Sequence, residues 1–304
     1  MSFLVILSAC RSLSAAYGAR SRANEMCLLS LLSLIAGIGH ATIVPEPVEF
    51  PSRDGRTALK GYVFLPTGHA PWPAVVMLHG RSGPYSSAAK GVYSGSTLSR
   101  RHKQWGEFWA ERGFIALHVD SFGPRGYPQG FPMGSYSRRP AEVSEQTVRP
   151  YDAYGALDYL RGRPDVIKAR VGLQGWSNGA MAGLATLAVQ PPGMQNPTPA
   201  TAFRAALLFY PSCRIQSRQE YRPYTPTVMF IGSEDAEVAP VPCRQLAEQV
   251  RLRGVSHFDM IWYEGATHSF DDPGKRRQSV EANRDARADS MRRAEQFFQR
   301  HLRE

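Results

Sequence analysis

Cysteine is scarce: the 304 residues hold four, which excludes a small scaffold stapled by many disulfides. No C-x-x-C pair and no cluster of cysteine and histidine has metal-ligand spacing, so no metal site is expected. A long apolar run is also missing. The strongest, "CLLSLLSLIAGIG" at residues 27–39, is too short to span a bilayer. There is no internal repeat and no convincing linker after residue 42, and no cofactor is expected. A long single-sign charge run is absent too. The chain carries 36 basic and 26 acidic residues, a formal charge of +10, but the cations are scattered. The densest stretch, from Gly274 to Glu304, interleaves five carboxylates with its arginines. That is the mark of a solvated helix face, and no nucleic-acid partner is expected.

The apolar run at 27–39 has the length of a signal-peptide hydrophobic region. Arg20 and Arg22 precede it, and Gly39-His40-Ala41 offers a small-x-Ala cleavage site. Residues 1–41 are therefore read as a targeting segment, with Met26 an alternative start. A rival, the "LSAC" box ending at Cys10, lacks a preceding basic region. Export to the periplasm or beyond is the expectation, with no stable membrane insertion once the segment is removed. Cys213 and Cys243 then remain in the mature chain. An even pair in an oxidising compartment suggests one disulfide, and two buried thiols are the alternative.

From residue 42 to 304 one domain is expected. "TIVPEPVEF" and "LKGYVFLP" suggest an antiparallel pair of opening strands. "PAVVMLHG", "FIALHVD", "RVGLQG", "AALLFYP", "PTVMFIG" and "FDMIWYE" are short apolar runs bounded by turn residues, as expected of strands covered on both faces. Helical patterns lie between them: residues 96–113, 151–164, 178–190, 243–254, and a last helix from about Ser279 that puts Met291, Ala294, Phe298 and Leu302 on one face. Strand–helix alternation of this kind predicts an α/β fold with a mostly parallel central sheet and helices on both faces. Residues 121–150, rich in Gly, Pro, Arg and aromatics, are too long for an ordinary connection, and a lid or rim is expected there.

In such a sheet, reactive groups gather beyond the carboxyl ends of the strands. Those ends supply "HGRSG" after residue 78, "DSFGPR" at 120–125, "GWSNG" at 175–179, "SEDAE" at 233–237 and "GATHSF" at 265–270. Each is weak alone: a Gly-x-Ser-x-Gly turn is common, a loop histidine is ordinary, and Asp235 or Glu234 could simply cap a helix. Together they place a serine, an acid and a histidine in the order Ser177, Asp235, His268. A serine hydroxyl is a weak nucleophile that needs a base, and the base needs an acid to fix its tautomer. Asp235 is favoured over Glu234 and Glu237 by its position three residues after Gly232. The backbone N–H groups of Arg81 and Asn178 are the candidate oxyanion donors, and His79 is read as structural.

On "VVMLHGRSG", "VDSFGPRG", "GWSNGAM", "GSEDAEVAP" and "YEGATHSFD", the chain from about residue 45 to its end resembles the dienelactone hydrolase family of α/β-hydrolases. The resemblance implies a single α/β-hydrolase domain that cleaves a small-molecule ester or lactone without a metal. The founding members carry a cysteine where this chain has Ser177, and a glutamate in the loop that here reads "HGRSG". They also bind a substrate carboxylate through two arginines. Arg125 resembles the first, while the second falls near the acidic Asp272, with Arg81 or Arg149 as possible substitutes. Phe122 and Trp176 complete the expected substrate-binding set. A general esterase with a serine nucleophile is the resulting expectation, with acyl transfer, peptide cleavage or non-catalytic binding as rivals on the same scaffold.

Overall fold

The structure, a computed structural model, describes residues 43–304. The targeting segment, Met26, Cys10 and Cys27 lie outside the described residues. Eight strands form one sheet: β1 (Glu46–Pro51), β2 (Ala58–Phe64), β3 (Trp72–Leu78), β4 (Ile115–Asp120), β5 (Val166–Trp176), β6 (Ala206–Phe209), β7 (Thr227–Glu234) and β8 (Phe258–Thr267). Their order is β1-β2-β4-β3-β5-β6-β7-β8. β1 pairs antiparallel with β2, and β2 with β4, while every later pairing is parallel. The opening hairpin follows from its alternating residues and the "SRDG" turn. Asp54 ties that turn by accepting from the Arg56 and Thr57 N–H groups.

The helices are α1 (Arg100–Glu111), α2 (Arg149–Gly162), α3 (Asn178–Thr186), α4 (Val241–Leu252), the single turn α5 (Lys275–Gln278) and α6 (Glu281–Leu302). Successive residues of β3 point to opposite faces. Ala74, Val76 and Leu78 join the layer beneath α2, α3 and α4, whereas Val75 and Met77 join the layer beneath α1 and α6. This period of two makes each parallel strand a continuous apolar run. Ala294, Phe298 and Leu302 of α6 are buried, with Met291 packed at the margin.

After β3 the chain steps first to one side, to β4, and then back across to β5 on the other. That reversal opens a crevice beyond the carboxyl ends of β3 and β5, the usual seat of a ligand in an open α/β sheet. Among the described residues no helix is long and apolar enough to cross a membrane.

Candidate active site

Ser177 is the residue between β5 and α3, and its backbone stands at φ 51° and ψ −115°. A non-glycine residue rarely adopts this conformation, and the neighbours must hold it there. Gly175 and Gly179 make that possible. A Cβ on Gly175 would meet the Gly179 carbonyl, and one on Gly179 would run into the Leu78 carbonyl of β3. With both bare, α3 closes against the sheet and the serine hydroxyl is lifted above its edge.

Two later strands bring partners to it. His268, just past β8, has Nε2 3.1 Å from Ser177 Oγ. Its Nδ1 lies 2.6 Å from Asp235 Oδ2, just past β7. A proton on Nδ1 donated to that carboxylate leaves the Nε2 lone pair facing the serine hydroxyl. Asp235 is fixed from behind, since its Oδ1 accepts from the Glu237 and Val238 N–H groups, both at 2.9 Å. The edge of the Tyr210 ring packs on the imidazole with centroids 4.7 Å apart. Tyr210 is held in turn: its hydroxyl donates to Asp271 at 2.5 Å and accepts from Arg101 at 2.9 Å.

The disulfide expected from the sequence joins Cys213, beyond β6, to Cys243 in α4. It encloses the loop that carries Asp235. Closing a span of 30 residues contributes roughly 3–4 kcal/mol in the chain-entropy account.

Arg81 follows β3, and its N–H has no backbone acceptor among the described residues. Asn178 opens α3, so its N–H is one of the donors a helix leaves unsatisfied. The Asn178 side chain is clamped from both ends. Its Oδ1 accepts from Arg149 at 2.5 Å and its Nδ2 donates to Glu145 at 2.9 Å. Arg149 is fully buried, and its Nε and Nη2 have no partner among the described residues. Burial brings this guanidinium down to about 10, with Asp152 and Glu145 pulling the other way. His79 donates from Nδ1 to the Gly80 carbonyl at 2.7 Å and accepts on Nε2 from the Ser121 N–H at 3.2 Å. It ties the ends of β3 and β4 together.

Of these groups, Ser177, Asn178 and Arg81 line a pocket of about 340 Å³. Met133, Tyr136, Met181 and Ile215 supply apolar wall, and Arg139, Arg214 and Glu237 supply charge. Up to the start of α2 at Arg149, residues 121–150 contain only short helical turns, and Met133, Tyr136 and Arg139 of this segment line the pocket. A second cleft, about 660 Å³, lies by Lys90, Arg100, Arg101 and Asp272 and does not include Ser177.

Three residues expected to bind substrate do not line the pocket. Arg125 is paired with Asp152 and with Asp54, each at 2.8 Å, and anchors the hairpin turn to α2. Phe122 is fully buried against the His79 ring and Phe131. Trp176 is fully buried, with its indole N–H donating to Asp271 at 2.8 Å. Phe122 and Trp176 thus turn into the core, and Arg125 is spent on an ion-pair network. Arg149 does not supply a carboxylate clamp either, because it lies beneath Asn178.

Sequence reasoning weighed Glu237 only as a rival to Asp235. In the structure it forms a bidentate ion pair with Arg81, and its Oε2 stands 3.8 Å from His268 Nε2. Burial raises this carboxyl, but the Arg81 hydrogen bond and the charge of His268 more than offset it, so it lies below its ordinary value. Glu145 was not anticipated, since nothing in an aperiodic segment marks it.

The sheet order, the serine at the turn after β5, and the acid and histidine after β7 and β8 define an α/β-hydrolase. The dienelactone hydrolase family matches residues 59–302, and the chain belongs to it, which makes the protein a hydrolase by class. Solved structures with the same fold include a Klebsiella pneumoniae protein described as a dienelactone hydrolase, 14% identical with a TM-score of 0.63, covering 85% of this chain and 99% of that one. A dienelactone hydrolase-like promiscuous phosphotriesterase from metagenomic libraries is 20% identical, with a TM-score of 0.60 and coverage of 86% and 100%. Thermogutta terrifontis esterase 2, phosphorylated by paraoxon, is 20% identical with a TM-score of 0.57, covering 86% and 95%.

Proposed function

We propose that the protein hydrolyses a carboxylic ester or lactone through an acyl-enzyme at Ser177. The observation that carries this reading is the continuous line Ser177 Oγ, His268 Nε2, His268 Nδ1, Asp235 Oδ2, with gaps of 3.1 and 2.6 Å, ending in a pocket. His268 takes the serine proton as Oγ attacks the carbonyl carbon, then returns it to the departing alkoxide. Asp235 stabilises the imidazolium. The N–H groups of Arg81 and Asn178 receive the developing oxyanion, an effect typically worth about 3–4 kcal/mol per donor. Water then repeats the sequence on the acyl-enzyme. A pocket of about 340 Å³ lies at the small end of the usual ligand range, which favours a compact substrate.

The test is covalent labelling with a fluorophosphonate or with paraoxon, the reagent found on the Thermogutta esterase. Modification should map to Ser177, vanish in Ser177→Ala and fall sharply in His268→Ala. A folded protein that does not label would overturn the proposal. We also propose that the protein is exported. The leader-like sequence at residues 27–39 supports this, and so does a disulfide between Cys213 and Cys243, because such bonds persist in oxidising compartments. N-terminal sequencing of the mature chain tests cleavage after Ala41.

A further inference from the structure

Glu237 is a buried-side carboxylate on the pocket wall with no part in the Ser177–His268–Asp235 line. Its position is unusual in two respects. Asp235 faces Nδ1 of His268, whereas Glu237 Oε2 lies 3.8 Å from Nε2, the nitrogen that moves the proton. Both of its oxygens are already engaged by Arg81, which keeps the carboxylate ionised and prevents it from swinging. Each oxygen retains lone pairs for a further hydrogen bond. An oxygen atom about 2.8 Å from both Nε2 and Oε2, an ordinary hydrogen-bond length, is geometrically allowed because those two atoms are 3.8 Å apart. Ser177 Oγ lies 3.1 Å from the same Nε2, so such an oxygen stands beside an acyl group carried on the serine.

We infer that Glu237 holds the hydrolytic water of the deacylation step. The inference rests on the acyl-enzyme reading above. In this step one water hydrogen passes to His268 Nε2 as the water oxygen bonds to the acyl carbon. The other hydrogen, directed at Glu237 Oε2, stays on that oxygen and becomes the hydroxyl hydrogen of the product acid. The tetrahedral adduct then expels Ser177 Oγ, which takes the proton back from Nε2, and the protein returns to its starting state. Acylation has no such requirement, since the serine hydroxyl has one hydrogen and gives it to His268. Glu237 therefore separates two half-reactions that share every other group in the site. The same geometry discriminates among acceptors: water has a second hydrogen for Glu237, and a simple alcohol has none once its only hydrogen is given to Nε2.

The experiment measures the half-reactions separately in Glu237→Gln, with Glu237→Ala as a second variant in case the amide disturbs Arg81. Acylation is followed by the release of p-nitrophenol from p-nitrophenyl acetate and by the rate of fluorophosphonate labelling. Deacylation is followed by decay of the acetyl-enzyme mass. The expected result is a deacylation rate at least tenfold lower, with labelling within threefold of the unaltered protein and the acetyl-enzyme accumulating. In water–methanol mixtures the ratio of methyl ester to acid should rise severalfold. Equal losses in both half-reactions would overturn the inference, because Glu237 would then merely support the pocket through Arg81. Unchanged deacylation with an unchanged product ratio would overturn it as well. Failure of the unaltered protein to label at Ser177 would sink the acyl-enzyme reading first, and this inference with it.

Discussion

Two parts of the molecule meet at the pocket, and they are built differently. Ser177, Asp235 and His268 stand within a residue or two of the ends of β5, β7 and β8, so the register of a rigid parallel sheet sets their separation. Residues 121–150 have no strand and no helix longer than one short turn until α2 begins, yet they supply Met133, Tyr136 and Arg139 to the wall and Glu145 to the Asn178 clamp. This segment is tied down by scattered long-range bonds. The Phe131 N–H donates to the Arg81 carbonyl at 2.8 Å, and the Arg81 guanidinium donates back to the Phe131 carbonyl at 2.9 Å. The sheet therefore holds the groups that would move protons, while the aperiodic segment shapes what reaches them. Chemistry and selectivity should then respond to different mutations.

The largest effect belongs to the sheet side. Asp235→Asn preserves the shape of the site but lets the amide favour the wrong imidazole tautomer, and kcat for a p-nitrophenyl ester should fall by about 10⁴-fold. The thermal midpoint should hardly move. Survival of most of the activity would break the comparison, since the acid would have to come from elsewhere, Glu237 being the nearest.

Arg125→Ala should behave in the opposite way. The side chain links Asp54 and Asp152, and Asp152 is fully buried. Removing the cation leaves a buried carboxylate without its partner, a change that typically costs about 3–5 kcal/mol. Denaturant midpoints should drop accordingly, while KM measured well below the new midpoint stays within twofold. A raised KM with little loss of stability would return Arg125 to substrate binding.

The core beneath the strand ends responds to acid. His118 of β4 is fully buried, stacks on Trp176, and among the described residues has no hydrogen-bond partner on either nitrogen. Burial pushes it down to about 3, so in the folded protein it stays neutral where the unfolded chain takes up a proton. Stability is then intact above about pH 6.5 and declines as the pH falls from there towards 3, by about 1.4 kcal/mol per unit for this group alone. His79 and His102, also depressed chiefly by burial, add to the slope. His118→Phe should recover about 2 kcal/mol of the loss between pH 7 and 5, read from urea midpoints at the two pH values. An unchanged slope would mean that His118 does not titrate in that window.

What could be read from the sequence follows the same division. The order Ser177, Asp235, His268 was visible because continuous apolar runs bounded by turn residues mark where strands stop, and the next few residues are then forced to the sheet edge. The two opening antiparallel strands followed from two strand-like segments with a turn between them, and the burial of the last helix from helical spacing that puts Ala294, Phe298 and Leu302 on one face. The substrate-binding set was not legible. Phe122 and Trp176 stood beside reactive loops and Arg125 resembled a substrate-binding arginine of the family, but neither closeness in sequence nor resemblance tells whether a side chain turns to the pocket or away from it. All three contacts that decided their fate, with His79, Asp271 and Asp152, come from distant parts of the chain. The Arg81–Glu237 pair spans 156 residues, and no local pattern encodes such a distance.

The smallest predicted effect tests the selective side most directly. Arg139 is half-buried in the pocket wall, with its Nε donating to Ser135 at 3.1 Å and its guanidinium 5.4 Å from the Tyr136 ring. It has no carboxylate within ion-pair distance among the described residues, and burial lowers its pKa, with Arg81 acting in the same direction and Glu145 against it. Arg81 is neutralised by Glu237, so among the described residues Arg139 and the exposed Arg214 are the positive charges on the pocket wall that an entering substrate meets. Arg139→Gln should raise KM for an ester bearing a carboxylate about fivefold, roughly 1 kcal/mol, and leave a neutral ester of equal length within a factor of two. kcat should change for neither, because Arg139 does not touch Ser177, His268 or Asp235. A fall in kcat for both esters would show that the irregular segment shares in the chemistry, and the division between the two regions would fail.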